Sequence, residues 1–543
     1  MNIKKSVASC AIATILLTGC GSSAILMTPV ENIDKTPLKV ATLSDAQLKD
    51  WSHSDLIADT IPGMSVDKAY ADIFNKLSGL NPTTVIVGVL DSGVDINHED
   101  LRNVIWTNPD EVAGNGIDDD KNGFVDDIHG WNFLGEANNE QLEMARIINK
   151  GDDGSETYQK AKAEHEKKYQ EALQNKAQYE QILQAVTQAD AVLQEELGKE
   201  TYTSEEVAAI QSTDPKVLQA VAIMNQMFAI ENDAAEIKKQ LKEGIEYHTD
   251  QLNYNLNLDF DGRTIVGDDP NDITDTDYGN NDVIGDKKHA KHGTHVSGII
   301  AAQRNNGIGI DGVANHVKIM PVRTVPNGDE YDKDVALAIR YAVDNGAKVI
   351  NGSFGKYYSP HKEWVWDAIK YAASKDVLII KAAGNESYNL DETNVYPNDN
   401  ENNNPEIADN FLTVGALNYK YGPEMVAVFS NYGKNNVDVF APGTKIWSTT
   451  PDNGYEFLQG TSMAAPAVAG VAALIRAYYP DLKANEVKQI IMQSGLTSTA
   501  NVILGGDPSN KKPFGQISKS GKMVNLFNAI LLADKVSKKQ VKL

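Results

Sequence analysis

Residues 459–466, Gln459-Gly460-Thr461-Ser462-Met463-Ala464-Ala465-Pro466, place a serine between a small-residue turn and a long apolar, alanine-rich stretch, Met463 to Ala477. That stretch reads as a buried helix. Ser462 then stands at a helix N-terminus, where its own N–H and the helix dipole face the position of a developing oxyanion. An ordinary Ser/Thr cap before a core helix fits the segment equally well. Its meaning rests on two segments upstream.

The first is Val85-Ile86-Val87-Gly88-Val89-Leu90-Asp91-Ser92-Gly93-Val94-Asp95. Its continuous β-branched run predicts a strand buried on both faces, as in a parallel sheet. Asp91 falls at the C-terminal end, where open α/β sheets carry their sites. The second is His292-Gly293-Thr294-His295-Val296-Ser297-Gly298, running into Ile299-Ile300-Ala301-Ala302. Two histidines three apart share a helix face, which raises a metal-site alternative, but no HExxH glutamate accompanies them. Asp, His and Ser thus follow one another in chain order.

With Ala382-Ala383-Gly384-Asn385 after the apolar run Val377 to Ala383, four ordered motifs are present. Together they resemble the subtilisin-like serine proteases (subtilases, peptidase family S8). The resemblance covers about residues 80–130 and 255–500. It implies an α/β, three-layer fold with a mainly parallel central sheet flanked by helices. It implies that Ser462 is the nucleophile of a serine endopeptidase, His292 the general base and acid, and Asp91 the group that orients and stabilises the imidazolium. Asn385 would donate its side-chain amide to the oxyanion beside the N–H of Ser462. His295 would be a structural histidine packed under the site. In the loop after Val349-Ile350-Asn351-Gly352, the residues Ser353, Phe354 and Gly355 would pair with the substrate backbone by strand addition. Phe354 replaces the family's usual smaller aliphatic residue. Val395 would lie at the pocket floor and disfavour a charged P1 side chain.

Calcium is the expected cofactor, at two sites. By the resemblance, Asp100 and the loop Arg304–Ile310 form one, with Asn306 giving a side-chain oxygen and Ile308 and Ile310 carbonyls. The second is local. Asp118-Asp119-Asp120-Lys121-Asn122-Gly123-Phe124-Val125-Asp126 contains the first half of an EF-hand-type loop, with ligands from Asp118, Asp120, Asn122, the Phe124 carbonyl and Asp126. Position twelve is His129, so a full EF-hand is not supported. The acidic cluster Asp268, Asp269 and Asp272 is a candidate to complete that second site.

Lys4 and Lys5, a short apolar run and Leu17-Thr18-Gly19-Cys20 read as a signal peptide ending in a bacterial lipobox. Lipidation at Cys20 would tether the enzyme to a bilayer outside the cytoplasm, as an outer-membrane or cell-surface lipoprotein. Cys10 would leave with the signal, so no disulfide is expected. Seventy-one residues separate Cys20 from Asp91, too few for both a folded inhibitory propeptide and a catalytic extension, so no propeptide is expected. A net charge of −25 over 543 residues argues against nucleic acid. The expected partners are a protein or peptide substrate and the lipid bilayer, with the enzyme a monomer.

The chain divides into a signal peptide (1–19), a tether (20–50), a first catalytic part (51–137), an α-helical insertion (138–250) and a second catalytic part (251–543). The gap from Asp91 to His292 is 201 residues, far more than a minimal subtilase needs. The insertion is rich in Ala, Glu, Gln and Lys. It predicts a long helix broken near Gly198 and again at Asp214-Pro215, a capping box at Thr203-x-x-Glu206, and one further helix from Val217 to Leu241 with Met224, Met227, Phe228 and Ile230 as its apolar stripe. A helical hairpin or small bundle near the site is expected. It leaves a rival to the enzymatic reading, a surface binding or adhesion protein built on a subtilase scaffold.

Overall fold

The computed structural model describes residue 34, residues 42–74 and residues 81–543. Cys20 and most of the predicted tether lie outside the described residues. Seven strands form one parallel sheet: β1 (Val85–Asp91), β2 (Trp131–Asn132), β3 (Val317–Arg323), β4 (Val349–Gly352), β5 (Leu378–Ala382), β6 (Phe411–Leu417) and β7 (Val439–Pro442), in the spatial order β2-β3-β1-β4-β5-β6-β7. The order reverses direction at β1, and Asp91 and β4 lie beside that switch point, where ligands of open α/β sheets bind.

Successive residues of the central strands feed two different cores. Val85, Val87 and Val89 of β1, with Val349, Leu378 and Ile380, pack against Val468, Val471 and Leu474 of the helix Thr461–Tyr478 and against helices Lys291–Ala301, Ala484–Ser494 and Leu526–Ser537. Leu90, Ile350 and Ile379 point the other way, onto helices Asp332–Asp344 and Lys362–Ser374. Period-two alternation with both faces covered explains why these strands read as unbroken apolar runs. The result is the three-layer α/β architecture. Helix Thr461–Tyr478 is long and apolar enough to span a bilayer, but it is the buried centre of the first core. Two hairpins complete the β-structure: β8 (Ile446–Thr450) with β9 (Gly454–Leu458), and β10 (Asn501–Leu504) with β11 (Asp507–Pro513).

The insertion is a helical arm. A 42-residue helix, Glu156–Leu197, is capped by Ser155 and ends at Gly198 in the left-handed conformation. Thr203 and Glu206 form a capping box on the short helix Ser204–Ala208. The predicted single helix from Val217 to Leu241 is instead two, Pro215–Phe228 and Ala234–Asp250. The break falls at Glu231-Asn232-Asp233, where Asp233 turns its carboxylate onto the N–H groups of Ala235 and Glu236 and starts a new helix. Ile230, read as part of the apolar stripe, is 78% exposed at that break. Met224 and Phe228 do pack inward, with Val186, Leu193, Ile237 and Leu241, in a core separate from that of the sheet.

Candidate active site

Asp91 ends β1 and is 1% exposed. His292 lies in the first turn of helix Lys291–Ala301. Gly293 lets that helix approach: a Cβ there would stand 2.2 Å from the Gly93 carbonyl oxygen and 3.1 Å from Asp91 Cβ. The approach sets His292 Nδ1 2.7 Å from Asp91 Oδ1, which also accepts the Ser92 N–H at 2.8 Å. Burial alone would lower the His292 pKa, but the charge and hydrogen bond of Asp91 outweigh it and raise it above 6.5. His295, one turn on, is fully buried, with Nε2 3.1 Å from the carbonyl oxygens of Ile446 and Glu456. Burial pushes its pKa down to about 3, so it stays neutral.

Ser462 is the second residue of helix Thr461–Tyr478. Pro466, four residues on, has no N–H to give the Ser462 carbonyl. The carbonyl instead accepts from Ser353 Oγ at 2.9 Å, and Ser353 Oγ accepts from Asn351 Nδ2 at 3.0 Å. Ser462 Oγ donates to the Ser353 carbonyl at 3.1 Å. No hydrogen bond joins Ser462 to His292 among the described residues, so the hydroxyl must rotate from Ser353 to reach the imidazole.

Asn385 follows β5. Its Oδ1 accepts the Thr461 N–H at 2.8 Å and the Thr461 hydroxyl at 3.0 Å. The backbone N–H can only donate, so the amide orientation is fixed and Nδ2 is left for another acceptor. Thr461 Oγ1 in turn accepts the Gly384 N–H at 2.9 Å. A Cβ built on Gly460 would lie 3.6 Å from both Asn385 Nδ2 and Ser462 N. The Asn385 amide and the Ser462 N–H thus flank one open point, with Asn385 Oδ1 3.7 Å from it. Gly460, with φ +150°, keeps that point clear.

These groups line one cleft of about 610 Å³. The structure brings Asp91, His292, Ser462, Asn385, Ser353, Phe354, Gly355 and Val395 together in it. Lys288, Tyr357, Glu386 and Glu330 also line it and carry no motif signal in the sequence. Glu330 is 2% exposed, and its Oε1 has no hydrogen-bond partner. Burial, against the attraction of Lys356, pushes its carboxyl up to about 7. The apolar reading of the pocket from Val395 omits this group.

The predicted calcium residues are arranged differently. Asp100 accepts from Asn306 Nδ2 at 2.6 Å, the Ile310 N–H at 3.1 Å and the Tyr455 hydroxyl at 3.3 Å, while Asn306 Oδ1 accepts the Ile308 N–H. The three segments meet, but amide donors face the carboxylate, and a cation there requires the Asn306 amide to turn over. In the Asp118 loop, Asp118 takes the N–H groups of Asn122 and Gly123. Asp126 takes those of Gly114, Asn115 and Gly116. Asn122 Oδ1 takes the Phe124 N–H. Asp120 Oδ1 takes the Asn122 N–H at 3.0 Å, and Asp120 also clusters with Glu111 and Asp127, the three offering oxygens within 4.8 Å of one another. Burial pushes Asp127 up to about 6. An all-carboxylate set suits calcium. Glu111 and Asp127 were missed because they flank the EF-hand-like spacing. Asp268 is taken up by Arg263 and Lys333, away from this loop.

Residues 83–516 match the model of the subtilase family, Peptidase_S8, and the chain belongs to that family. It is similar to a thermophilic serine proteinase from Bacillus sp. (strain AK1), 38% identical over 273 residues, which are 50% of this chain and 58% of that protein. It is also similar to thermitase from Thermoactinomyces vulgaris, 40% identical over 185 residues, 34% of this chain and 60% of that protein. Each match spans less than two thirds of the relative's length. Among solved structures, a protease of Pseudoalteromonas arctica PAMC 21717 aligns with 32% identity and a TM-score of 0.37 over 45% of this chain and 70% of that one. Family membership supports serine peptidase chemistry.

Proposed function

We propose that this chain is a serine endopeptidase that cleaves peptide bonds through an acyl-enzyme on Ser462. His292 takes the hydroxyl proton and returns it to the leaving amine. Asp91 holds the imidazole with Nε2 free and stabilises its cation. The oxyanion lies between Asn385 Nδ2 and the Ser462 N–H. The supporting observation is that the hydrogen-bonded Asp91–His292 pair lines the same cleft as Ser462 and Asn385. Fluorophosphonate labelling of a form lacking Cys20 tests the reading. Wild type should label and Ser462→Ala should not; unlabelled wild type sinks it.

The same reading places the enzyme outside the cytoplasm, tethered through Cys20, with calcium at the Glu111–Asp120–Asp127 cluster supplying structural cross-linking and no step of the reaction. Mass spectrometry of the mature N-terminus tests the lipid.

The helical arm restricts access to the cleft in this reading. Lys288 on the cleft wall pairs with Glu246 of the arm at 2.5 Å. Lys239 of the arm approaches Glu456 of β9 at 3.7 Å. Tyr358 donates to Glu164 at 2.8 Å beside the cleft residue Tyr357. The arm thus touches the rim on two sides, which favours segments thin enough to enter between them.

A further inference from the structure

Outside the cleft, the segment leading into the catalytic domain carries a mixed cluster of nitrogen and oxygen ligands. Asp50 closes the helix Asp45–Asp50, His53 lies in the following turn, and Asp67 is in the first turn of Val66–Ala69. One ligand atom from each falls within 4.8 Å of the other two. His53 is 7% exposed, and its Nδ1 has no hydrogen-bond partner. That nitrogen is aimed into the cluster, 3.6 Å from Asp50 Oδ1. The separation is too long for a hydrogen bond and close to the roughly 3.3 Å edge of a tetrahedron with metal–ligand bonds near 2.0–2.1 Å.

Charge points the same way. Arg304 is the cation beside the cluster, at 3.4 Å from Asp67 and 3.5 Å from Asp311. Three carboxylates, those of Asp50, Asp67 and Asp311, thus share one guanidinium. Lys68 is turned away onto Asp55 at 3.0 Å.

We propose that Asp50, His53 and Asp67 form a binding site for a divalent transition metal of the zinc class, with a fourth position left to water. An imidazole nitrogen with two carboxylates suits zinc or cobalt(II) better than calcium, which prefers an all-oxygen shell. The site is separate from Asp100, whose oxygens face Asn306, Ile310 and Tyr455. Bound metal closes the turn between Asp50 and Asp67, whose other anchor is Trp51, buried and donating to the carbonyls of Thr444 and Lys445 at 3.1 and 3.2 Å. It would clamp the segment that arrives from the N-terminal side onto the catalytic domain.

The test uses the untagged chain lacking residues 1–20, stripped with chelator and titrated with cobalt(II) in excess calcium. One equivalent should bind with the visible absorption of a low-coordinate site and be displaced by zinc. His53→Gln, and independently Asp67→Asn at an exposed position, should each weaken binding by roughly tenfold or more. Circular dichroism checks that both variants fold. No saturable binding, displacement by calcium, or equal affinity in wild type and a folded Asp67→Asn overturns the proposal.

Discussion

Ser353 and Ser462 are bonded to each other twice: Ser353 Oγ donates to the Ser462 carbonyl at 2.9 Å, and Ser462 Oγ donates to the Ser353 carbonyl at 3.1 Å. Helix Thr461–Tyr478, which carries the proposed nucleophile, is thereby tied to the loop after β4, the proposed substrate-binding edge. The first bond exists because Pro466 leaves the Ser462 carbonyl without its helical donor. Ser353→Ala should therefore orphan a partly buried carbonyl and cost about 1 kcal/mol in denaturant unfolding. It should also lower kcat/KM, because the edge that holds substrate is no longer fixed to Ser462. Unchanged stability together with unchanged kcat/KM would show that the double link does not matter.

The oxyanion position makes two distinct predictions. Asn385→Ala removes one donor and should lower kcat by about 10²–10³, the size found for a side-chain donor in subtilisin, with KM little changed. Gly460→Ala keeps both donor groups in the sequence but puts a methyl group 3.6 Å from each, at a residue whose φ of +150° disfavours a side chain. Its kcat should fall at least as far. Steady-state kinetics on one peptide substrate measures both, and a Gly460→Ala enzyme with normal kcat would move the oxyanion elsewhere.

The Asp91–His292 pair gives opposite pH trends for stability and activity. Burial disfavours the imidazolium, but Asp91 outweighs it, and the folded pKa lies above 6.5. The protonated form is the one favoured by folding, so the pair's contribution to stability is complete below about 6.5 and is lost as pH rises through the folded value. Activity needs the neutral base and rises over that same interval. In Asp91→Asn the acid limb of kcat/KM should move to lower pH, and kcat should fall by about 10⁴. A limb that stays in place would remove Asp91 from contact with the titrating group.

How far the sequence reached depended on where each signal lay. The sheet was legible because β1, β4 and β5 are buried on both faces and written as apolar runs, and because Asp91 and Asn385 each stand at the end of one. The helix break at Asp233 was not, since Met224 through Leu241 keeps an approximate helical period through the interruption. Glu330 enters the cleft only through tertiary packing, with no motif around it. Asp50, His53 and Asp67 span a turn whose folding alone brings them together. The EF-hand-like spacing pointed to the right loop, but the side-chain oxygens of Asp118, Asp120, Asn122 and Asp126 all accept local N–H groups.

That loop predicts a response to calcium. With Glu111, Asp120 and Asp127 clustered and no ion pair to any of them among the described residues, a chelator should lower the melting temperature by several degrees, and added calcium should restore it. Asp120→Asn should lower the starting melting temperature and blunt the chelator response; Asp126→Asn, whose carboxylate caps the Gly114–Gly116 turn, should lower stability while keeping the response. Differential scanning calorimetry separates the two. Equal chelator sensitivity in wild type and Asp120→Asn would place calcium at another site.

The arm can be shortened without opening the main core, because its outer half has a core of its own. Val186, Leu193, Val207, Met224, Phe228, Ile237 and Leu241 pack together, while the base is held separately by Met144, Ala161, Ala172 and Leu256. Tyr179 lies against Gly244, with a Cβ there only 2.5 Å from the ring, so the two helices are adjacent at that level. Removing residues 181–242 and joining Glu180 to Glu243 by a short glycine-rich turn should leave a folded enzyme. It deletes Lys239, and with it the approach to Glu456, but retains Glu246 against Lys288 and Glu164 against Tyr358. Turnover of a short chromogenic peptide should be unchanged, because the cleft itself is intact. Cleavage of a folded protein substrate should increase, because one side of the rim is lowered. If both activities stay at the wild-type level, the outer arm does not limit access; if both fall together, it supports the cleft rather than guarding it.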